Sequence, residues 1–247
     1  MYREDFYDVL KSTGEKIEAV VVPKNTGLKG YAWRALEEAG FDLEKAKKVS
    51  ESELRLKGVP VWLRRGEDIS RIVEAQKRNN RFVVGVTGDD LFDEYRLNVP
   101  ANGLVLVNTY DWLDPDAKFQ RPALCLLASW NFESLQAGSR LEVAINRKYG
   151  ATSRLYLADS KKLEGMRFDI VPYSGDLELA VQKEEVDACI DTVYSGKSAE
   201  KAKLRIIEVV RLSDIAVIAP RNGSKPMLEQ MVRKISKGRM ISRLEEV

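Results

Sequence analysis

Residues 187–204, DACIDTVYSGKSAEKAKL, run from an apolar strand through a glycine-containing turn into the start of a helix. Ala188, Cys189, Ile190 and Val193 make the strand short and buried. Ser195-Gly196-Lys197-Ser198 then supplies two hydroxyls, a cation and a permissive backbone where the helix begins. Free N–H groups and the positive end of the helix dipole converge there, which is the geometry of a phosphate site. Asp187 and Asp191 flank that spot with carboxylates, which suit ribose hydroxyls or a phosphate-bound magnesium ion rather than the phosphate itself. The same stretch also reads as a plain strand-to-helix turn capped by Ser195 or Ser198.

The chain has 247 residues, of which 44% are apolar, enough for one large domain or two smaller lobes. Charged residues make up 32% with a net charge of +2, so no overall field for nucleic acid or a membrane surface is implied. No apolar run reaches the roughly 18 residues of a membrane span, and MYREDFYDVLKSTGEK lacks the apolar core of a signal peptide, so a cytoplasmic protein is expected. Cys125 and Cys189, the two cysteines, lie in apolar strand-like runs and read as inert buried thiols.

Histidine is absent. Ser-His-Asp and Cys-His nucleophilic systems and His-ligated zinc are thereby excluded. Catalysis must rest on carboxylates, Lys, Arg, hydroxyls, backbone dipoles or an oxygen-held metal, an inventory that fits phosphate-bearing substrates.

Apolar strands alternate with amphipathic helices along the chain. Strands are expected at 18–22, 59–63, 82–86, 104–107, 123–129, 141–145, 168–171 and 188–193. Helices are expected at 29–39, 68–76, 153–163, 177–183 and 227–237. Residues 206–218 read as strand, tight turn at Ser213-Asp214 and strand, and Tyr110 to Arg121, YDWLDPDAKFQR, as a proline-broken loop or ribbon insertion. The pattern predicts an α/β fold of mixed sheets with helices on both faces. Lobe I is expected from 1–102 plus 204–247 and lobe II, carrying the phosphate loop, from 103–203. Ligands in such sheets collect at the carboxyl ends of strands, where Lys24, Arg64 and Thr87 to Asp90 fall.

These residues carry a family resemblance. Val22-Pro23-Lys24 with a helix ending Glu37-Glu38-Ala39-Gly40 resembles the opening of ATP phosphoribosyltransferase (HisG) catalytic domains. Arg64 or Arg65 with Asp68-Ile69 and Val73-Glu74 resembles their Arg-x-x-Asp-Ile-Pro-x-x-Val-Glu stretch. Gly85 to Asp90 with Glu94 is similar to their Gly-Ile-Thr-Gly-x-Asp turn, and Lys148-Tyr149, Arg154 and Tyr156 to their Lys-Tyr-Pro-x-x-x-Arg-x-Tyr/Phe segment. Gly175, Glu178 and Ala180 follow in place. Residues 187–204 align without a gap to the family's phosphoribosyl-pyrophosphate loop, with Ser195-Gly196-Lys197-Ser198 in place of Thr-Gly-x-Thr. One departure stands out: Pro23-Lys24-Asn25-Thr26-Gly27-Leu28 replaces Pro-Lys-Gly-Arg-Leu, so the Arg that would reach a nucleotide is missing.

The resemblance implies a two-lobed type II periplasmic-binding-protein-like fold and transfer of a phosphoribosyl group from phosphoribosyl pyrophosphate to ATP, the first step of histidine biosynthesis. Ser195, Gly196, Lys197 and Ser198 would take the 5′-phosphate, and Asp191, the catalytic candidate, the ribose hydroxyls. Asp187 would line the same site, and Lys24 with Arg64 would take the pyrophosphate or triphosphate. Asp90 is open to two readings, ligand or helix cap. Magnesium is expected on the substrate phosphates, with no direct protein ligation. A homo-oligomer is expected, with room for a regulatory subunit and without nucleic acid or membrane partners. The missing Arg keeps a second class open, a non-catalytic small-anion or nucleotide-binding protein or pseudo-enzyme subunit of the same fold. Hydroxymethylbilane synthase shares that fold but needs a loop cysteine for its cofactor, and Cys189 lies within a strand.

Overall fold

The computed structural model describes residues 17–24, 28–33, 55–56, 59–129 and 138–221. The expected closing helix at 227–237, the first helix beyond residue 33 and Asn25-Thr26-Gly27 lie outside the described residues. No described helix is long and apolar enough to cross a membrane. The chain divides into two compact units, one of residues 1–92, 101–110 and 215–247 and the other of 93–100 and 111–214.

In the first unit the described strands are β1 (Ala19–Pro23), β2 (Arg55–Leu56), β3 (Val59–Arg64), β4 (Val83–Gly88), β5 (Leu104–Tyr110) and β11 (Ile215–Pro220). They form one sheet in the order β2-β3-β1-β4-β11-β5. β1 is parallel to both β3 and β4, whereas β11 runs antiparallel between β4 and β5. All residues of β1, β4 and β11 are buried, as a strand covered on both faces requires.

Helix α1 (Gly66–Arg78) is amphipathic and turns Ile69 and Val73, both fully buried, toward the sheet. Each such burial stabilises by about 1.5–3 kcal/mol. The helix approaches closely because β4 carries Gly85, where a Cβ would meet Ile69 Cγ2 at 2.7 Å and Val73 Cγ2 at 2.9 Å. Helix α2 (Asp89–Asn98) follows β4 directly.

The second unit holds β6 (Ala123–Ala128), β7 (Arg140–Asn146), β8 (Arg167–Tyr173), β9 (Ala188–Val193) and β10 (Arg205–Leu212), ordered β10-β6-β9-β7-β8. β7 is parallel to β8 and to β9, and β6 is antiparallel to β9 and β10. Its helices are α3 (Gly150–Asp159), α4 (Leu177–Gln182) and α5 (Lys197–Lys201), with 3-10 turns at Arg147–Tyr149 and Lys161–Leu163. Cys125 and Cys189 lie in the core under α4 and α5. Burial pushes both thiols up, Cys125 to about 12, and the Asp191 and Glu178 charges add to the effect at Cys189.

Residues 206–218 were expected to return together to the first lobe, and the structure separates them. β11 is buried throughout and inserts into the first sheet, whereas β10 carries partly exposed Glu208 and Arg211 and edges the second. Charged side chains are tolerated at an edge and not between two covered strands. Leu104–Tyr110, expected in the second lobe, pairs along its length with β11 in the first sheet.

Replacing Gly85 by Val should lower the urea midpoint by an amount equivalent to about 1–3 kcal/mol, because the added carbons must displace Ile69 and Val73. Gly30→Ala is the control. Gly30 is helical and exposed with no atom within 4 Å of an added Cβ, so it should gain about 0.5–1 kcal/mol.

Candidate anion and carboxylate site

Each unit gathers sequence-predicted residues at the carboxyl ends of parallel strands. In the first unit Lys24 follows β1 and Arg64 ends β3, joined by a 2.7 Å hydrogen bond from the Lys24 N–H to the Arg64 carbonyl. Both side chains are exposed. Arg64 Nη1 donates to the Leu63 carbonyl at 2.7 Å, which folds the guanidinium back along its own strand. At the end of β4 the buried Thr87 hydroxyl donates to the Gly66 carbonyl at 2.9 Å, tying the β4–α2 turn to the start of α1. Asp90 is 5% exposed in the first turn of α2, and a Cβ on Gly88 would collide with its Oδ1. That placement fits a helix-opening carboxylate, which the helix dipole stabilises.

In the second unit β9 delivers the turn that the sequence singles out. Gly196 is left-handed at φ 80° and N-caps α5 without a side-chain cap. The first intrahelical bond runs from the Glu200 N–H to the Gly196 carbonyl, which leaves the N–H groups of residues 197–199 ahead of it. Ser195 Oγ accepts from the Lys197 N–H at a long 3.4 Å. A side chain at Gly196 is opposed twice, by the positive φ and by Lys118, whose Cδ would stand 2.9 Å from an added Cβ.

Lys118 belongs to the segment read from sequence as a loop insertion, and sequence reasoning missed what that segment does. The Lys118 N–H donates to the Tyr194 carbonyl at 2.8 Å, and the Tyr194 hydroxyl donates to the Asp114 carboxylate. Asp114 is buried and also accepts from the Asp116 N–H at 2.9 Å, the short-range pattern of an Asx turn. The far end of the loop is held by Asp214, whose carboxylate accepts two 2.8 Å bonds from Arg121 and one of 3.0 Å from the Trp112 N–H. Residues 111–122 thus brace the β9–α5 turn.

Asp191 and Asp187, paired in the sequence reading, part company. Asp191 Oδ1 accepts from Asn146 Nδ2 at 2.9 Å and from the Thr192 N–H at 2.7 Å, at the carboxyl edge of the sheet. Asp187 immediately precedes β9, whose six residues at about 3.3 Å each set it about 20 Å or more from the turn. Its carboxylate accepts from the Glu142 N–H at 2.7 Å while its own N–H donates to the Glu142 carbonyl at 2.9 Å. Asp187 therefore extends the β7–β9 ladder and does not flank the turn.

Glu178, at the start of α4, carries a carboxyl pushed above its ordinary value, first by burial; the charges of Asp191 and Asp176 add, and its own backbone hydrogen bond opposes. Glu94 is a second carboxylate whose role only the structure supplies. It accepts from the Ala151 N–H, the Thr152 N–H and the Thr152 hydroxyl, each at 2.8 Å, and so caps α3. Among the described residues no group of three Cys, Asp or Glu side chains is arranged to hold a metal ion.

The model of the family described as HisG: ATP phosphoribosyltransferase matches residues 65–237. This chain belongs to the ATP phosphoribosyltransferase family. The match includes the 187–204 segment and Asp90; Arg64 is the residue before it, and Lys24 lies well upstream. An ATP phosphoribosyltransferase of Nitrosospira multiformis is 28% identical over 128 residues, covering 49% of this chain and 54% of the relative. One from Albidiferax ferrireducens is 30% identical over 154 residues, covering 62% and 65%. The chain thus spans about half to two thirds of the length of the curated relatives it matches.

Among solved structures, the ATP phosphoribosyl transferase (HisG:HisZ) complex from Thermotoga maritima is similar at TM-score 0.58 and 16% identity, over 93% of this chain and 96% of that one. The ligand-binding core of GluR0 in complex with L-glutamate gives 0.50 and 14%, over 94% and 97%. These likenesses identify the type II periplasmic-binding-protein-like fold for this member of the ATP phosphoribosyltransferase family.

Glu178 generates a pH signature. Its raised folded value means that the folded chain holds that proton more tightly than the unfolded chain, so this contribution is full below the ordinary 4.5 and is lost as pH rises through the folded value. Glu178→Gln should therefore melt at a higher temperature than the parent near neutral pH, with the difference shrinking below about pH 4.5. Melting curves across that range check it.

Proposed function

We propose that this chain transfers the phosphoribosyl group of phosphoribosyl pyrophosphate to N1 of the adenine of ATP, releasing pyrophosphate. The observation that carries the reading is a family match through residues whose local geometry suits the substrate: a left-handed, uncapped glycine turn beside an ordered carboxylate. The N–H groups and hydroxyls of Ser195 to Ser198 take the 5′-phosphate, and Lys197 adds a cation. Asp191 takes the ribose hydroxyls. As the anomeric carbon becomes cationic, a fixed carboxylate stabilises it with little reorganisation. Lys24 and Arg64 are assigned to the pyrophosphate or triphosphate, whose oxygens suit charge-assisted hydrogen bonds from exposed cations.

Magnesium suits the same reading as an ion carried on the substrate's phosphate oxygens, since hard oxygen donors are what it requires and it dehydrates reluctantly. The Thermotoga maritima relative is a complex with HisZ, which supports seeking a regulatory partner for this chain. A cytoplasmic location follows from a biosynthetic role. Asn25-Thr26-Gly27 in place of an Arg-bearing turn favours one competing reading, a binding protein that retains the anion site and lacks the transfer.

The deciding assay mixes the protein with ATP, phosphoribosyl pyrophosphate and magnesium, with and without a HisZ-type partner, and follows phosphoribosyl-ATP by its near-ultraviolet absorbance. Product is expected, and Asp191→Asn should lower turnover on the order of 10²-fold, as loss of a charge-stabilising group does. Gly196→Val should remove most of the affinity for phosphoribosyl pyrophosphate, whereas Lys197→Ala should weaken it mildly and in a salt-dependent way. Binding of a phosphorylated sugar with no product under either condition would leave the binding-protein reading in place of the enzyme.

A further inference from the structure

We infer that Asn146 is a positioning residue for Asp191, fixing the carboxylate so that a single oxygen, Oδ2, is presented to the ligand. The Asn146 amide is held in one orientation. Its Oδ1 accepts from the Lys148 N–H at 3.2 Å, capping the 3-10 turn that follows β7. An amide with its oxygen committed on one side must present its N–H₂ on the other. That side faces Asp191 Oδ1, at 2.9 Å.

The same Oδ1 also takes the Thr192 N–H at 2.7 Å, so one carboxylate oxygen is saturated by two donors. Among the described residues Oδ2 has no donor of its own. The backbone donor alone would leave the carboxylate free to swing about its side-chain torsion; the amide, anchored on a different strand, removes that freedom. Register supports the pairing: β7 and β9 are parallel with Ile145 opposite Ile190, which sets the next residues, Asn146 and Asp191, side by side at the edge. The Glu178 carboxyl, pushed up first by burial, also feels the Asp191 charge.

Assigning Asn146 this role rests on the reading of Asp191 as the ribose-binding carboxylate, and two measurements keep the two claims apart. Asn146→Asp is the informative variant. It retains an oxygen to cap the Lys148 N–H at nearly the same volume, and sets a second carboxylate against Asp191 Oδ1 where the donor was. Asn146→Ala, which removes the donor without adding charge, should lose affinity in the same direction and separates the lost bond from the added repulsion. Calorimetry with magnesium phosphoribosyl pyrophosphate should show affinity about tenfold to a hundredfold below the parent, the size expected for a lost hydrogen bond to a charged group. In an Asp191→Asn background the same change should cost far less, because the partner charge is gone. Equal affinity of parent and Asn146→Asp, or losses that simply add in the double variant, would overturn the inference.

The second measurement needs no ligand. The side-chain amide proton resonances of Asn146 should move on Asp191→Asn, and an unmoved pair of resonances would overturn the contact itself. A parent that binds no phosphoribosyl pyrophosphate while those resonances move as expected would sink the substrate reading and leave the positioning role intact.

Discussion

Strands β7, β8 and β9 run parallel, and that single constraint places Asn146, the α4 start with Glu178, and Asp191 at one edge of the second sheet. A parallel strand must return through a crossover, so each of these carboxyl ends opens into a turn and a helix. The same polarity sends Asp187 to the opposite edge, where a carboxylate of the same chemical type does nothing more than continue the ladder. Position along a strand, and not residue type, separates the two aspartates.

Around that edge the polar groups are ordered by hydrogen bonds whose donors come from distant parts of the chain. The β9–α5 turn is held by Lys118 and Asp114, about 80 residues earlier, and the loop that carries them is held in turn by the Arg121–Asp214 pair. In that half-buried pair a single Arg121 nitrogen, Nη1, donates to both oxygens of Asp214, a charge-assisted contact. Gly196 is thus favoured by its own backbone conformation, and a side chain there would also have to displace the Lys118 stem.

The absence of histidine shapes the chemistry as much as any residue present. Carboxylates do the available polar work, and their surroundings differentiate them. Glu94 is consumed in capping α3, Asp191 is fixed by two donors on one oxygen, and Glu178 is made a weaker acid chiefly by burial. The proposed transfer, at a carbon that becomes cationic, would ask for this kind of preorganised negative charge rather than for a proton relay.

Much of the fold is written in local pattern. Buried strands such as Ala19–Pro23 and Ala123–Ala128 announce themselves as unbroken apolar runs, and the 187–204 segment reads correctly as strand, turn and helix because glycine and apolar spacing act within a few residues. The order of motifs from Arg65 onward was sufficient to indicate the family. What the sequence left open depends on contacts between residues far apart in the chain. No local signal tells that β10 and β11, two residues apart, enter different sheets, although the charges on Glu208 and Arg211 hint at an edge. Nor does any spacing rule show that Lys118 lies against Gly196, that Glu94 caps a helix beginning at Gly150, or that Asn146 meets Asp191. Those pairings are fixed by strand order and register, which exist only once the sheets have formed.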